Sequence, residues 1–215
     1  MKRKGGFLIF LGTVLILAAG VLTWFNLRDA RQAGQASEQA VQQLIRQLTP
    51  PEPAQPESQP AGFPEILQPN YVRFPDMEMP VTRVNGQDYV AAVAIPSLEL
   101  ELPVISEWSY PALKIAPCRY MGSAYTGDLI LMAHNYDSHF GRIKNLRPGD
   151  WVNVTDMDGN VFSYQVVELE ELPGTAVADM EAGIWDLTLF TCTYGGRSRV
   201  TVRCDEISNT PAQEG

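Results

Sequence analysis

An uncharged apolar run near the N-terminus constrains the fold of this chain more than any other feature. Residues Gly5 to Leu27 carry no charged side chain over 23 positions. In a bilayer every backbone N–H and C=O must be bonded internally, so a single segment of this length can cross only as a helix. Three basic residues, Lys2–Lys4, precede the run, and the positive-inside rule places them in the cytoplasm. We predict a cytoplasmic flank and transmembrane signal anchor over residues 1–28, with the rest of the chain outside the cell.

A cleaved signal peptide is the alternative interpretation of the same run. Its apolar core would span roughly 7–15 residues and would end at a small-residue cleavage site. Here the run is longer and ends in Trp24-Phe25, an aromatic pair typical of the membrane–water interface. These features favour an uncleaved anchor.

Residues 29–70 are predicted to connect the anchor to a folded domain as a stalk and linker. Apolar residues at helical spacing, among them Val41 and Leu44, predict a juxtamembrane helix that ends near Leu48. The proline-rich stretch that follows, residues 49–64, predicts a semi-extended spacer that holds the domain away from the membrane. We therefore expect the domain to be fully active without residues 1–48.

Residues 71–207 have a globular composition and suit one compact domain, whereas residues 208–215 are predicted to be a disordered tail. Short helical segments are expected at 109–115 and 140–146. Short β-prone runs separated by turn residues predict a closed barrel or a sandwich rather than a parallel α/β sheet. These runs are 89–95, 99–105, 128–134, 151–155, 161–170 and the two strands of a closing hairpin.

The closing hairpin carries the strongest chemical signal. A β-prone run ends at Cys192, Tyr194-Gly195-Gly196 breaks it, and a second β-prone run follows. An antiparallel pairing brings a thiol and a guanidinium within one strand gap of each other, roughly 5 Å. A thiolate nucleophile needs nearby positive charge, and an acyl transfer needs a cationic or N–H partner for its oxyanion.

Three arginines are candidates for that guanidinium. Arg199 stands at the start of the best-anchored part of the second strand, so we favour it. Arg197 and Arg203 share its strand face, and we predict that both are solvated.

A cysteine nucleophile usually works with a histidine, and the chain has two. His134 ends an apolar run, so a rigid strand would hold it at the surface of the domain. His139 follows in a loop. We predict His134 as the partner of Cys192; a strand-end histidine bonded to a backbone carbonyl is the structural alternative.

The other two cysteines leave two alternatives open. Disulfides form outside the cytoplasm, and an odd count leaves one thiol over. We take Cys192 as that thiol. Cys118 and Cys204 then either form a structural bridge or remain two isolated reduced cysteines.

These segments together resemble the sortases, the membrane-anchored cysteine transpeptidases of Gram-positive bacteria. Thr188–Cys192 (Thr-Leu-Phe-Thr-Cys) matches the Thr-Leu-x-Thr-Cys signature in full. The upstream segment Ala133-His134-Asn135 and the downstream segment Arg199–Val202 match in order. The resemblance covers roughly Tyr89 to Arg203 and implies an eight-stranded, mostly antiparallel barrel with short helices, which makes the chain all-β dominated after its one transmembrane helix.

The resemblance also implies roles for individual residues. Cys192 would attack the threonine carbonyl of a motif similar to Leu-Pro-x-Thr-Gly near the C-terminus of a surface protein. His134 would be the general acid and then the general base, and Arg199 would stabilise the oxyanion. Thr191 and Asn135 would contact the substrate. An amine of a cell-wall precursor or a pilin would resolve the thioacyl enzyme.

No cofactor is predicted. Some sortases bind calcium in the loop that corresponds to the acidic segment Glu168–Glu181, but a solvated acidic loop is the favoured interpretation here. The only basic cluster is the membrane flank, in a chain of net charge −9, which argues against a nucleic-acid partner. Two rival functions stay open: a cell-surface cysteine hydrolase, and a non-enzymatic wall-binding module tethered to the membrane.

Overall fold

The computed structural model describes residues 3–48 and 68–207. Helix α1 runs unbroken over Arg3–Leu48, 46 residues, or about 69 Å at 1.5 Å per residue. The predicted anchor and stalk are therefore one continuous helix. Between Ile9 and Leu27 the large apolar side chains of α1 point outward, with Ile9 and Ile16 each 73% exposed. The helix is long and apolar enough to cross a membrane, and this outward apolar surface suits lipid rather than a protein core.

Nine β-strands make up one sheet within the described residues, and eight of them close into a barrel. The strands are β1 Thr82–Val84, β2 Gln87–Ile95, β3 Leu100–Ile105, β4 Cys118–Met121, β5 Leu129–Ala133, β6 Trp151–Asp156, β7 Val161–Pro173, β8 Leu187–Cys192 and β9 Ser198–Glu206. The ring order is β2-β3-β4-β5-β8-β9-β7-β6, and β6 pairs back to β2. Strand β1 pairs only with β2, as an added edge. Most pairs are antiparallel, whereas β3–β4 and β5–β8 are parallel.

The closed ring of eight strands confirms the predicted barrel. Alternate residues of each strand fill its interior. Val93, Leu131, Leu189 and Val202 are all fully buried there. Burying one such side chain contributes roughly 1.5–3 kcal/mol. The period-2 pattern of the sequence fixes which face turns inward.

Short helical segments connect the strands. Helix α2 spans Asn70–Arg73, helix α3 spans Tyr110–Leu113 and helix α4 spans Val177–Met180. The 3-10 turn Phe140–Asn145 follows β5, close to the predicted helical stretch at 140–146. The side-chain hydroxyl of Ser109 caps α3 by accepting from the backbone N–H of Ala112 at 3.1 Å.

The stalk half of α1 packs against the barrel domain. Ala33, Ala40, Val41 and Leu44 are nearly fully buried, at a spacing that puts them on one helix face. Ala40 and Leu44 join a cluster with residues of β3 and α3, and the Ser37 hydroxyl donates to the Ile115 carbonyl at 2.7 Å. The stalk thus contacts the domain directly. The predicted spacer at 49–64 and the predicted tail at 208–215 lie outside the described residues.

All three cysteines are free thiols. Cys118 on β4 faces the stalk cluster, whereas Cys204 on β9 faces the barrel interior. Two strands separate β4 from β9, a gap of roughly 14 Å, and a disulfide needs Cα atoms within about 7 Å. Of the two alternatives, isolated reduced cysteines are therefore correct. Burial raises the pKa of each of these two thiols to about 12, so both are unreactive.

Candidate active site

The end of β8 places Cys192 directly opposite Arg199. The two residues are paired in the antiparallel β8–β9 ladder, as the hairpin pattern predicts. Cys192 is half-buried. The connecting turn needs left-handed backbone at two positions, Gly195 with φ +85° and Gly196 with φ +70°, which glycine adopts without steric cost.

Strand β5 brings His134 to the same edge of the sheet. Ala133 pairs with Thr191 in the parallel β5–β8 ladder, so the next residue of each strand, His134 and Cys192, lies one step further along the same edge. Neighbouring strands are about 4.8 Å apart. A histidine, a cysteine and an arginine therefore stand at one end of three adjacent strands.

Thr191 ties these strands together. Its side-chain hydroxyl donates to the carbonyl oxygen of Ala133 at 2.9 Å, and the residue is 3% exposed. The hydroxyl therefore has no proton left to donate to a substrate. A substrate contact by the Thr191 backbone stays a prediction. Asn135 is partly exposed but does not line the cleft described below, so its predicted substrate contact is likewise a prediction.

The two histidines occupy different environments. His134 is partly exposed, and its ring stacks on Tyr136 with centroids 4.3 Å apart and planes 9° apart. His139 is fully buried beneath α1. Burial, followed by the charge of His134, lowers the pKa of His139 to about 4, which keeps the ring neutral. His134 is therefore the histidine that shares an edge with Cys192.

A largely apolar cleft of about 300 Å³ opens beside the three residues. Its floor comes from the outward faces of β5 and β8, and its walls come from the segment before β4 and from the β7–β8 connection. A larger polar cavity of about 570 Å³ lies beyond Trp108 and Tyr120 and contains none of the three residues. The cleft is lined by Trp108, Tyr110, Leu113, Tyr120, Met132, Ala133, His134, Leu172, Pro173, Gly174, Ala176, Val177, Met180, Phe190, Thr191, Cys192 and Arg199.

Arg203 corrects one prediction, because it is buried rather than solvated. It is 2% exposed, and its Nε lies 2.7 Å from Oε1 of Glu170. Its Nη1 donates to the Thr188 hydroxyl and to the Met180 carbonyl, both at 3.0 Å. The reason is that the β7–β8 connection covers this part of the strand face. Arg203 thereby fixes one cleft wall to the barrel, while Arg197 is exposed as predicted.

Arg199 is the cationic donor beside the thiol. Its Nη1 donates to the carbonyls of Gly196 and Ser198, both at 3.1 Å, and a guanidinium keeps further N–H groups for a ligand. The backbone N–H that follows Cys192, that of Thr193, donates to the Ser198 carbonyl at 3.0 Å. Because this amide is already bonded, the guanidinium is the better candidate for an oxyanion partner.

Carboxylates of the acidic segment near the cleft accept hydrogen bonds from neighbouring side chains. Glu170 accepts from Arg203, and Glu181 accepts from the Tyr120 hydroxyl at 2.6 Å. Glu171 accepts from the Ser198 hydroxyl. Within the described residues no three His, Cys, Asp or Glu side chains are grouped to hold a metal ion, and a calcium-independent site stays a prediction.

Fold and site together define an eight-stranded barrel with a cysteine, a histidine and an arginine at one sheet edge. A family model described as "Sortase domain" matches residues 93–207, more than half of the chain and all of β5, β8 and β9. The chain belongs to the sortase family.

Solved sortase structures share this fold. A Clostridium perfringens sortase D5 transpeptidase is 16% identical, with 80% of this chain and 99% of that chain covered at a TM-score of 0.55. Clostridium perfringens sortase C with the C-terminal cell wall sorting motif is 22% identical, with 56% and 71% covered at 0.50. A lid mutant of sortase A from Corynebacterium diphtheriae is 13% identical, with 67% and 94% covered at 0.50. No curated protein matches the chain.

Proposed function

We propose that this sortase is a cysteine transpeptidase that cleaves a C-terminal sorting motif of surface proteins and transfers the protein to an amine. The observation that carries the proposal is the grouping of Cys192, His134 and Arg199 at one rim of an apolar cleft. Nucleophile, proton carrier and oxyanion partner are the three groups that acyl transfer requires.

In the first half-reaction, the proton of the Cys192 thiol passes to His134, and the thiolate Sγ attacks the carbonyl carbon of the motif's threonine. The carbonyl electron pair moves to oxygen, and the guanidinium of Arg199 stabilises the resulting oxyanion. When the intermediate collapses, the peptide C–N bond breaks and His134 donates a proton to the departing amine. The products are a thioester on Cys192 and a free C-terminal peptide.

In the second half-reaction, an acceptor amine attacks the thioester. His134 removes the proton from the attacking nitrogen, and the Cys192 thiolate leaves as the new amide forms. The thioester retains the energy of the cleaved amide, so ligation proceeds without a nucleotide. We propose an amine of a cell-wall precursor or of a pilin as the acceptor.

The chemistry of the cleft supports a motif that begins with apolar residues, similar to Leu-Pro-x-Thr-Gly. Aromatic side chains line one wall, among them Trp108 and Tyr110, and Val177 and Met180 line the other. Binding is stabilised when an apolar side chain leaves water for such a surface. One sortase with the same fold, from Clostridium perfringens, has been solved with the C-terminal cell wall sorting motif.

The proposed location follows from the anchor. Helix α1 would span the plasma membrane. Residues 1–4 would lie in the cytoplasm, because they contain the chain's only basic cluster, Lys2–Lys4, and basic flanks stay on the cytoplasmic side. The barrel domain would then face the outside, where sorting signals and wall amines are presented.

The test uses the full-length chain in detergent micelles, a library of peptides on the Leu-Pro-x-Thr-Gly pattern, and an excess of a glycine- or lysine-bearing amine. Products are read by mass spectrometry, with Cys192→Ala as the inactive control. A ligated product that Cys192→Ala abolishes supports transpeptidation. Cleavage without ligation would favour the hydrolase, and the absence of both with every peptide and amine would contradict the proposal.

A further inference from the structure

The loop that carries His134 contacts the stalk half of α1 on its far side. The Ser138 hydroxyl donates to the Ala30 carbonyl at 3.4 Å. At Gly34 the helix passes so close that a Cβ there would lie 3.1 Å from the Cβ of Ser138. One turn further, the Oγ of Ser37 lies 3.2 Å from Nε2 of His139.

The proton positions in this contact follow from its geometry. The Ser37 hydroxyl donates its single proton to the Ile115 carbonyl at 2.7 Å. Its oxygen can then only accept from His139, so the Nε2 of that buried ring carries the proton. The low pKa of His139 agrees with a neutral ring. Helix α1 thus supplies the Nε2 hydrogen-bond partner of His139 and seals the ring from water.

The loop between the two histidines is compact. The backbone N–H of His139 donates to the carbonyl of Tyr136 at 2.9 Å, and that of Phe140 donates to the carbonyl of His134 at 3.2 Å. At Gly141 a Cβ would lie 2.5 Å from the carbonyl oxygen of Asn135, so only glycine fits there. These contacts tie the two ends of the loop to each other.

The aromatic ring of Tyr136 connects the two ends of this loop. It stacks face to face on His134 at 4.3 Å and lies 5.5 Å from the His139 ring. A stacked neighbour restricts the orientation of an imidazole, and the orientation decides whether its nitrogen reaches the leaving amine. A movement of His139 would therefore change the orientation of the His134 ring.

We propose that the stalk half of α1 is a positioning element of the active site. Ser37 holds His139, His139 and its loop hold Tyr136, and Tyr136 holds the ring of His134. This inference rests on the proposed function of His134 as the proton carrier. It replaces the expectation that the domain is fully active without residues 1–48.

The experiment exploits the presence of only two histidines in the chain. Full-length protein with isotope-labelled histidine, in micelles, gives two sets of imidazole NMR signals. In the unmodified protein the His139 signals remain those of a neutral ring down to about pH 5, which identifies them. A second readout, the pH profile of Cys192 alkylation by iodoacetamide, needs no substrate, so failure of the transpeptidase proposal and failure of this inference are distinguishable.

Ser37→Ala removes the partner of His139 and is the principal variant. We expect the NMR signals of His134 to shift or broaden and the alkylation profile to move. Where a peptide is turned over, kcat should fall about five-fold or more, with KM changed less than about two-fold. Gln39→Ala, on the exposed face of the same helix, is the matched control and should match the unmodified protein.

Two further variants keep the test decisive. His139→Gln places an amide near the position of Nε2 and should retain most of the activity of the unmodified protein, whereas His139→Leu should lose it. If Ser37→Ala does not fold, Ser138→Ala, which removes the hydrogen bond from the loop to the Ala30 carbonyl of α1, should produce the same changes at His134. Unchanged His134 signals and an unchanged Cys192 profile in the folded variants would overturn the inference and leave α1 as a structural support.

Discussion

The side-chain hydroxyl of Thr191 donates a hydrogen bond to the backbone carbonyl of Ala133 at 2.9 Å. The bond joins the strand that ends in Cys192 to the strand that leads into His134. These two strands are parallel and 58 residues apart along the chain, so no local turn fixes their register. The bond therefore stabilises the relative position of the nucleophile and the histidine, at the last paired step of the ladder.

Thr191→Val should weaken this alignment while keeping the branched shape of the side chain. Loss of the hydroxyl leaves the buried Ala133 carbonyl without this donor, at a cost of about 1–3 kcal/mol in the free energy of unfolding. We expect kcat to fall more than KM rises, because the cleft is retained while the reacting groups shift. Denaturant unfolding and steady-state kinetics measure the two effects.

Thr191→Ser is the control for that change because it keeps the hydroxyl. It should retain the hydrogen bond and most of the activity. Equal losses in the two variants would indicate that the methyl group, rather than the hydrogen bond, is important at this position.

Arg199→Lys should reduce kcat/KM by about ten-fold or more, because an ammonium cannot present the planar set of N–H donors of a guanidinium. Arg197→Lys, two residues earlier and exposed, is the matched control and should have nearly normal rates. Both are measured with the same peptide and amine. Similar rates for the two variants would refute the assignment of Arg199 as the oxyanion partner.

The sequence predicts local features of this protein well and non-local ones poorly. Alternating apolar residues and glycine turns locate most barrel strands, and the Cys192–Arg199 pairing follows from a short hairpin. Strand β4 escapes prediction because its four residues are too few to show a pattern. The docking of α1 escapes as well. Val41 and Leu44 predict the helix, but the rest of its buried face is alanine, glycine and serine, which does not distinguish it from a solvated helix.

Arg203 shows why burial of a charge is hard to predict from sequence. Its partner Glu170 lies 33 residues away, on a strand that pairs with β9 only in the closed barrel. Without that partner, the arginine resembles its exposed neighbours on the same strand face. Its burial depends on the β7–β8 connection, whose position no sequence pattern indicates.

Arg203→Met should destabilise the domain and loosen the cleft wall. Removing one partner of a buried ion pair costs roughly 3–5 kcal/mol, and we expect a smaller loss here because the Glu170 side chain is 30% exposed. Here the Met180 carbonyl and the Thr188 hydroxyl lose a donor. Since Met180 lines the cleft, we expect KM for a sorting peptide to rise. Thermal unfolding and steady-state kinetics test both effects.

The double variant Glu170→Gln with Arg203→Met provides the control for the ion pair. It removes the unpaired carboxylate and should recover part of the lost stability. A double variant as unstable as the sum of both single variants would show that the two side chains do not interact energetically.

His139 should make the protein sensitive to acid. Its pKa is about 4 in the folded protein against an ordinary value of 6.5, because the buried ring is kept neutral. Between about pH 6.5 and about pH 4 the unfolded chain therefore binds a proton at His139 that the folded chain does not bind. The free energy of unfolding falls as the pH drops through this interval. The loss at the lower end is about 3 kcal/mol for this shift.

His139→Gln cannot titrate and should lose less stability over this interval, while carboxylates contribute equally to both proteins. The free energy of unfolding at pH 7, 6, 5 and 4 measures the difference, and parallel curves for the two proteins would contradict a neutral buried His139.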